Sequence, residues 1–247
     1  MSPAWIVPAW PAPAGVRALS TYRSGGSSSA PYASLNLGAH VDDAPAAVAA
    51  NRRRLASAAG LPAEPRWLAQ VHGANVADLD AAGASADPAT ADACFSRRRG
   101  LVCAILTADC LPIVLTADGG ELVAALHAGW RGLAAGVVES LVEALAVPPA
   151  TLLAWLGPAI GPGHFEVGAE VREALLRGDA GGQAAFTPNP RGRFMADLGL
   201  LARRRLAALG IERVYGGGEC TYADGARYFS HRRDGKTGRQ ATLIWRE

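Results

Sequence analysis

The chain has 247 residues, half of them hydrophobic, with 24 basic and 22 acidic side chains and a formal charge of +2. Such a chain can bury a substantial core and is not a disordered tail, and its near balance of charge does not advertise a surface built for nucleic acid or for a membrane. Four cysteines, Cys94, Cys103, Cys110 and Cys220, are poor material for a disulfide framework, so any special cysteine reads as a ligand or a nucleophile.

The N-terminal stretch MSPAWIVPAWPAPAGVRALS has no basic segment followed by an apolar run, and no later segment reaches the ~18 apolar residues of a membrane span. A cytoplasmic location is expected. Residues 24–40, SGGSSSAPYASLNLGAH, read as a turn-rich loop crossing a surface or covering a site. Residues 44–59 predict a helix, with Val48 and Leu55 seven apart and Gly60 as the stop. RWLAQV (66–71) reads as a short strand delivering His72.

LVCAILT (101–107), PIVLTA (112–117) and ELVAALH (121–127) are apolar runs of strand length that together predict a buried sheet core. The last two are separated by the turn signal DGG. A helix over 133–147, a strand over 151–157 and a helix over 168–178 follow. Residues 181–194 read as a loop, and 195–210 as an amphipathic helix stopped by Gly210. Residues 216–240 mix glycine, tyrosine, cysteine and a basic cluster, the composition of a site-forming loop. No repeat or linker divides the chain. The expected fold is one compact α/β domain over 1–247, α+β in some schemes, with a mixed β-sheet core flanked by helices.

Three metal-ligating side chains fall at comparable places: His72 after RWLAQV, Cys110 after CAILTAD and His127 after ELVAAL. Two imidazoles and a thiolate can form a three-ligand zinc set with the fourth tetrahedral position open. Spacing alone leaves other readings, because a cysteine in an apolar run is commonly a small buried hydrophobe and a lone histidine is commonly structural. Asp109, beside Cys110, is either a group orienting a ligand or a turn carboxylate. In LHAGWRGLAAG (126–136), Gly129 and Gly132 permit close backbone approach, and a helix starting near Leu133 would aim free N–H groups at an anion beside Arg131. Trp130 either stacks on a ring or packs the junction.

The strings QVHGANV, TADCLPIVL, LHAGWRGLAAGVVE, WLGPAIGPGHFEVG and CTYADGARYFSHRRDGKTGR, in this order, resemble the YfiH-like family, also called the laccase-domain or multicopper polyphenol oxidoreductase family. The likeness runs from PYASLNLGAHVDD almost to the C-terminus. It implies a YfiH-like fold and a zinc site on His72, Cys110 and His127. It also implies phosphorolysis of adenosine, inosine, guanosine and methylthioadenosine, with phosphate as co-substrate, and hydrolytic deamination of adenosine. Asn36, His164, Glu166, Arg232 and Arg233 are then candidate substrate contacts, with Glu166 also a proton-transfer candidate and Asp109 and Arg131 beside the catalytic set. His231 stands where a tyrosine is usual in the family. The partners expected are purine nucleosides and phosphate, with no nucleic acid or membrane, in a monomer or small homo-oligomer.

Rival readings stay open. His–Cys–His is also the trio of blue-copper sites, so a copper-dependent polyphenol oxidase is one. A full multicopper set needs on the order of ten histidines, whereas the chain has five. A metal-free hydrolase with Cys110 as nucleophile activated by His127 or His72 is another, and a metal-stabilised binding protein a third.

Overall fold

Apolar runs without polar alternation need strands covered on both faces, and the tertiary structure supplies this by stacking two sheets. A computed structural model describes residues 4–81, 87–177 and 179–247. In chain order its elements are β1 (Trp5–Ile6), β2 (Val16–Thr21), α1 (Pro45–Ala59), β3 (Val76–Asp78), β4 (Ala93–Ser96), β5 (Val102–Thr107), β6 (Leu111–Ala117) and β7 (Val123–Ala128). Then come α2 (Trp130–Ala135), α3 (Val137–Leu145), β8 (Leu152–Leu156), β9 (Glu166–Val167), α4 (Ala169–Leu176), β10 (Phe186–Pro188), β11 (Phe194–Ala196), α5 (Leu198–Ala208), β12 (Arg213–Gly216), α6 (His231–Asp234) and β13 (Gln240–Arg246).

One sheet is antiparallel in the order β1-β2-β13-β5. A second is mixed, in the order β12-β8-β6-β7-β4-β3, with parallel pairs only at its two edges, and a small antiparallel third sheet runs β10-β11-β9. Cys103, Ile105 and Ile244 of the first meet Cys94, Val114, Ala125 and Trp155 of the second. Val102, Ala104 and Leu106, on the outer face of the first sheet, lie under Leu35 and Leu37 of the 24–40 loop and Leu55 of α1. The outer face of the second sheet packs on α3 and α5 through Leu141, Leu145, Leu201 and Leu206. The result is four layers, helix and loop, sheet, sheet, helices. Mixed sheets flanked by helices are as expected. β5 and β6, however, belong to different sheets, and Cys94 and Cys103 are fully buried fillers between them.

The expected helix over 133–147 is two helices. α2 starts earlier, at Trp130 with Gly129 as its cap, and Gly136, at φ 86°, ends it before α3 begins. The expected loop at 181–194 contains a 3₁₀ turn and the start of the β10–β11 hairpin. Met195 and Ala196 pair within that hairpin, so α5 begins only at Leu198, where the Asp197 carboxylate accepts the Leu200 N–H at 2.9 Å. The helix expected to close at Gly178 runs to Leu176, and Gly178 itself lies outside the described residues. Among the described residues no helix is long and apolar enough to cross a membrane.

RWLAQV is extended but is not a ladder strand. Arg66 bridges to Cys103, and further along the Gln70 side chain takes over, donating to the Leu106 carbonyl at 2.9 Å and accepting its N–H at 2.8 Å. This latch along β5 delivers His72. Gln70→Ala leaves both Leu106 groups unpaired and should lower stability by about 1–3 kcal/mol. Urea unfolding measures this, and an unchanged midpoint would show that the segment is held by something else.

Candidate metal centre

Residues 108–110 carry the chain from the end of β5 in one sheet to the start of β6 in the other. Asp109 turns this corner with φ at 91°, and His72 lies in a turn with φ at 61°. Left-handed backbone costs a residue with a side chain on the order of 1–3 kcal/mol, so each needs strong local support. Register does the rest. β6 pairs with β7 so that Leu111 faces Ala128 and Pro112 faces His127, which brings Cys110 beside Gly129.

Asp92 supplies the support for His72. Its buried carboxylate accepts the N–H groups of Val71 at 3.2 Å, His72 at 2.9 Å and Gly73 at 2.7 Å. The same carboxylate lies 2.8 Å from Nδ1 of His127, and the Asp92 carbonyl accepts the His127 N–H at 2.7 Å. Occupying Nδ1 turns the remaining imidazole nitrogen into the group available to an ion. Ligand atoms of His72, Cys110 and His127 converge within 4.8 Å of one another, and the two imidazole rings are 4.7 Å apart at 64°. Among the described residues this is the one group of three or more such side chains so placed.

The electrostatics suit a cation. Burial works against the Asp92 charge, but the bonds from His127, Gly73 and Val71 hold its pKa below the ordinary value. Burial also raises the Cys110 thiol, yet His127 first, and then His72, draw it down to about 6. For His127 burial lowers the pKa, and Cys110 and Asp92 together overcome this and lift it to about 9. A thiolate between two imidazoles is a soft, three-ligand set with room for a fourth partner. Backbone presses against it closely: a Cβ on Gly129 would sit 2.9 Å from the Cys110 sulfur and 3.4 Å from His72 Nδ1.

The other sequence candidates fall in several places. Asp109 accepts the Thr221 hydroxyl at 2.7 Å and the Arg232 N–H at 2.6 Å, and its carbonyl accepts the Ile160 N–H. It therefore gathers three loops around Cys110. Arg232 also donates to the Glu166 carbonyl and lies over Phe165. Arg233 spends its guanidinium on the carbonyls of Thr221, Tyr222 and Tyr228 and on Asp234, which leaves nothing over for a ligand.

Asn36 is equally committed: its amide serves Gly38, Asp43 and the Arg239 N–H in full burial. Glu166 binds Asn189, Arg191 and Arg193 of the β10–β11 hairpin. His164 stacks on Tyr222, with Nδ1 3.6 Å from the Cys220 sulfur. Arg131 lies over the Trp130 ring at 4.4 Å, while Trp130 packs partly against the core. His231 is exposed and bonds the Gly235 carbonyl within its own turn.

Sequence reading passed over Asp92 and Arg239. Nothing local marks Asp92, whose partners lie about twenty and thirty-five positions away. Arg239 is the one with a legible signal, since it sits in the quoted DGKTGR string.

Stacked sheets thus carry, at the crossing between them, a His–Cys–His group that could hold a metal ion and is backed by a buried carboxylate. Residues 17–247 match the family described as multi-copper polyphenol oxidoreductase laccase. A Pseudomonas aeruginosa protein named purine nucleoside phosphorylase is 56% identical over 247 residues, covering 98% of each chain. The Escherichia coli purine nucleoside phosphorylase YfiH is 52% identical over 240 residues, 97% of this chain and 98% of its own. A Neisseria meningitidis crystal structure, 44% identical, superposes with a TM-score of 0.94 over 98% of this chain and 99% of that one. The chain belongs to the YfiH-like family.

Asp92→Asn keeps the shape and removes the charge, so metal affinity should fall ~10- to 100-fold in chelator competition. Unchanged affinity would separate Asp92 from the centre. Gly129→Ala should lower metal content while leaving the circular dichroism spectrum intact, because the added methyl meets the Cys110 side chain and His72 Nδ1 first.

Proposed function

We propose that residues 1–247 form one catalytic domain, a zinc-dependent purine nucleoside enzyme. Its reactions are phosphorolysis of adenosine, inosine, guanosine and methylthioadenosine, and hydrolytic deamination of adenosine. The observation that carries this reading is the convergence of His72, Cys110 and His127 within 4.8 Å, in a chain more than half identical to relatives named purine nucleoside phosphorylase. His72, Cys110 and His127 would hold the zinc ion, which would supply Lewis-acid polarisation there.

The chain's own groups do the positioning. Asp92 fixes the tautomer and direction of His127 and holds the turn of His72. Asp109 holds the rim by anchoring Thr221 and the backbone of Arg232. Arg232 and His164, on that rim, contact the nucleoside. In phosphorolysis a phosphate oxygen bonds to the anomeric carbon as the carbon–nitrogen bond breaks and its electron pair leaves with the purine. In deamination water adds at the purine C6 and ammonia leaves. Asn36 and Arg233 act indirectly, through the loops they hold together. The proposed setting is the cytoplasm, with small-molecule partners and a monomer or small homo-oligomer.

A second reading has an observation of its own. Cys110 drawn to about 6 beside His127 raised to about 9 is also the pairing of a nucleophile and its base. Copper is less well served, because a trinuclear cluster needs a second convergent histidine set and the described residues hold one group.

Product analysis of a nucleoside panel, with and without phosphate and with the metal quantified, tests the reading. Free base and ribose 1-phosphate should appear only with phosphate, and inosine from adenosine in either case. Cys110→Ala and His127→Ala should each lose metal and at least ~100-fold of turnover. Activity that survives chelation in the wild type would favour the hydrolase. Intense blue colour with phenol oxidation and no nucleoside turnover would favour copper.

A further inference from the structure

The DGKTGRQ segment, residues 234–240, runs into β13 alongside the crossing that carries Asp109 and Cys110. Gln240 pairs with Thr107, so Arg239 lies at the position next to Ala108. Arg239 is held firmly and used only in part. Its N–H donates to Asn36 Oδ1 at 2.9 Å, and Nη1 donates to the carbonyls of Thr237 and Gly238 at 2.9 and 3.0 Å. Nε and Nη2 make no hydrogen bond or ion pair among the described residues. Burial lowers the pKa of this guanidinium first, while Cys110, Asp109 and Tyr32 act in the opposite direction.

Thr237, 1% exposed, leaves its Oγ1 without a hydrogen-bond partner, and Tyr32, 5% exposed, has only the Lys236 ammonium against its hydroxyl. A buried polar group left unmade costs on the order of 1–3 kcal/mol, which a bound ligand would recover. The Lys236 ammonium lies 5.8 Å from the Tyr32 ring centroid and 3.5 Å from the exposed Asp42 carboxylate. Proximity to the Tyr32 hydroxyl raises its pKa first, so it stays cationic. The corner therefore holds two cations and two donors without acceptors. Arg131 offers less, for its guanidinium is exposed over Trp130 and α2 is only six residues long.

We propose that Arg239, Lys236, Tyr32 and Thr237 form the binding corner for a tetrahedral oxyanion, inorganic phosphate, beside the His72–Cys110–His127 centre. The fork left by Nε and Nη2 matches two oxygens of the anion, the hydroxyls donate to the others, and Lys236 adds charge from the open side. The assignment of phosphate rests on the phosphorolysis reading, whereas the corner rests on the unpartnered donors.

Inorganic phosphate titrated into the zinc-loaded full-length protein, followed by calorimetry and by the shift in melting temperature, tests it. Phosphate should bind the wild type and raise its melting temperature. Arg239→Gln should weaken binding at least ~10-fold and Thr237→Val and Tyr32→Phe several-fold each, whereas Arg131→Ala should change it less than ~2-fold. Metal content and circular dichroism identify any variant that has lost its fold, and Thr237→Val, which keeps size and shape, then decides. No phosphate binding by the wild type, equal binding by Arg239→Gln and Thr237→Val, or loss in Arg131→Ala would overturn the corner. Phosphorolysis whose phosphate KM is unmoved by Arg239→Gln would overturn it and leave the purine reading intact. Phosphate binding that needs Arg239, in a protein that turns over no nucleoside, would sustain the corner and defeat the purine reading.

Discussion

Everything in the site depends on one buried carboxylate. Asp92 accepts three consecutive backbone N–H groups around His72 and faces His127 Nδ1. An uncompensated buried charge is costly, and these four partners make the ionised form the favoured one. The same bonds hold His72 in a left-handed conformation that the residue would not choose alone. Removing the charge would therefore release a turn and an imidazole together, which is why structure and chemistry are inseparable at this position.

A second constraint is topological. The chain leaves the four-stranded sheet after Thr107 and enters the six-stranded sheet at Leu111, and only three residues make the crossing. So short a connection between stacked sheets forces an unusual backbone at Asp109, and it places Cys110 at the edge where both sheets and three loops meet. Asp109 then uses its carboxylate to fasten two of those loops. The site is thus a by-product of how the two sheets are joined. The helix start after Gly129 brings its backbone close to Cys110.

Much of the fold was legible where residues decide locally. The apolar strands β5, β6, β7 and β8 and the helices α1, α4 and α5 carry their signal in composition, whereas the break at Gly136 was read as the inside of one helix. The short strands were not legible. β3 and β4 have three and four residues, and β12 is held by its parallel pairing with β8, so their state depends on neighbours distant in sequence. RWLAQV shows the same limit, since a glutamine side chain completes what a ladder would have done. Among site residues, His72, Cys110 and His127 stood out by type and place. Asn36 and Arg233 drew notice for their polarity, but their groups are consumed in holding loops.

The sequence by itself determined the ligand types, the apolar runs that demand a doubly covered sheet, and the family likeness carried by strings such as TADCLPIVL and DGKTGR. Those properties belong to side-chain chemistry and short-range pattern, which need no partner to be read. Only the tertiary structure decided that β5 and β6 lie in different sheets, that Asp92 stands behind both histidines, and that Arg239 and the buried Thr237 hydroxyl share a corner. Each of these is a relation between segments tens to hundreds of residues apart, set by register and by the satisfaction of buried polar groups once the sheets are stacked.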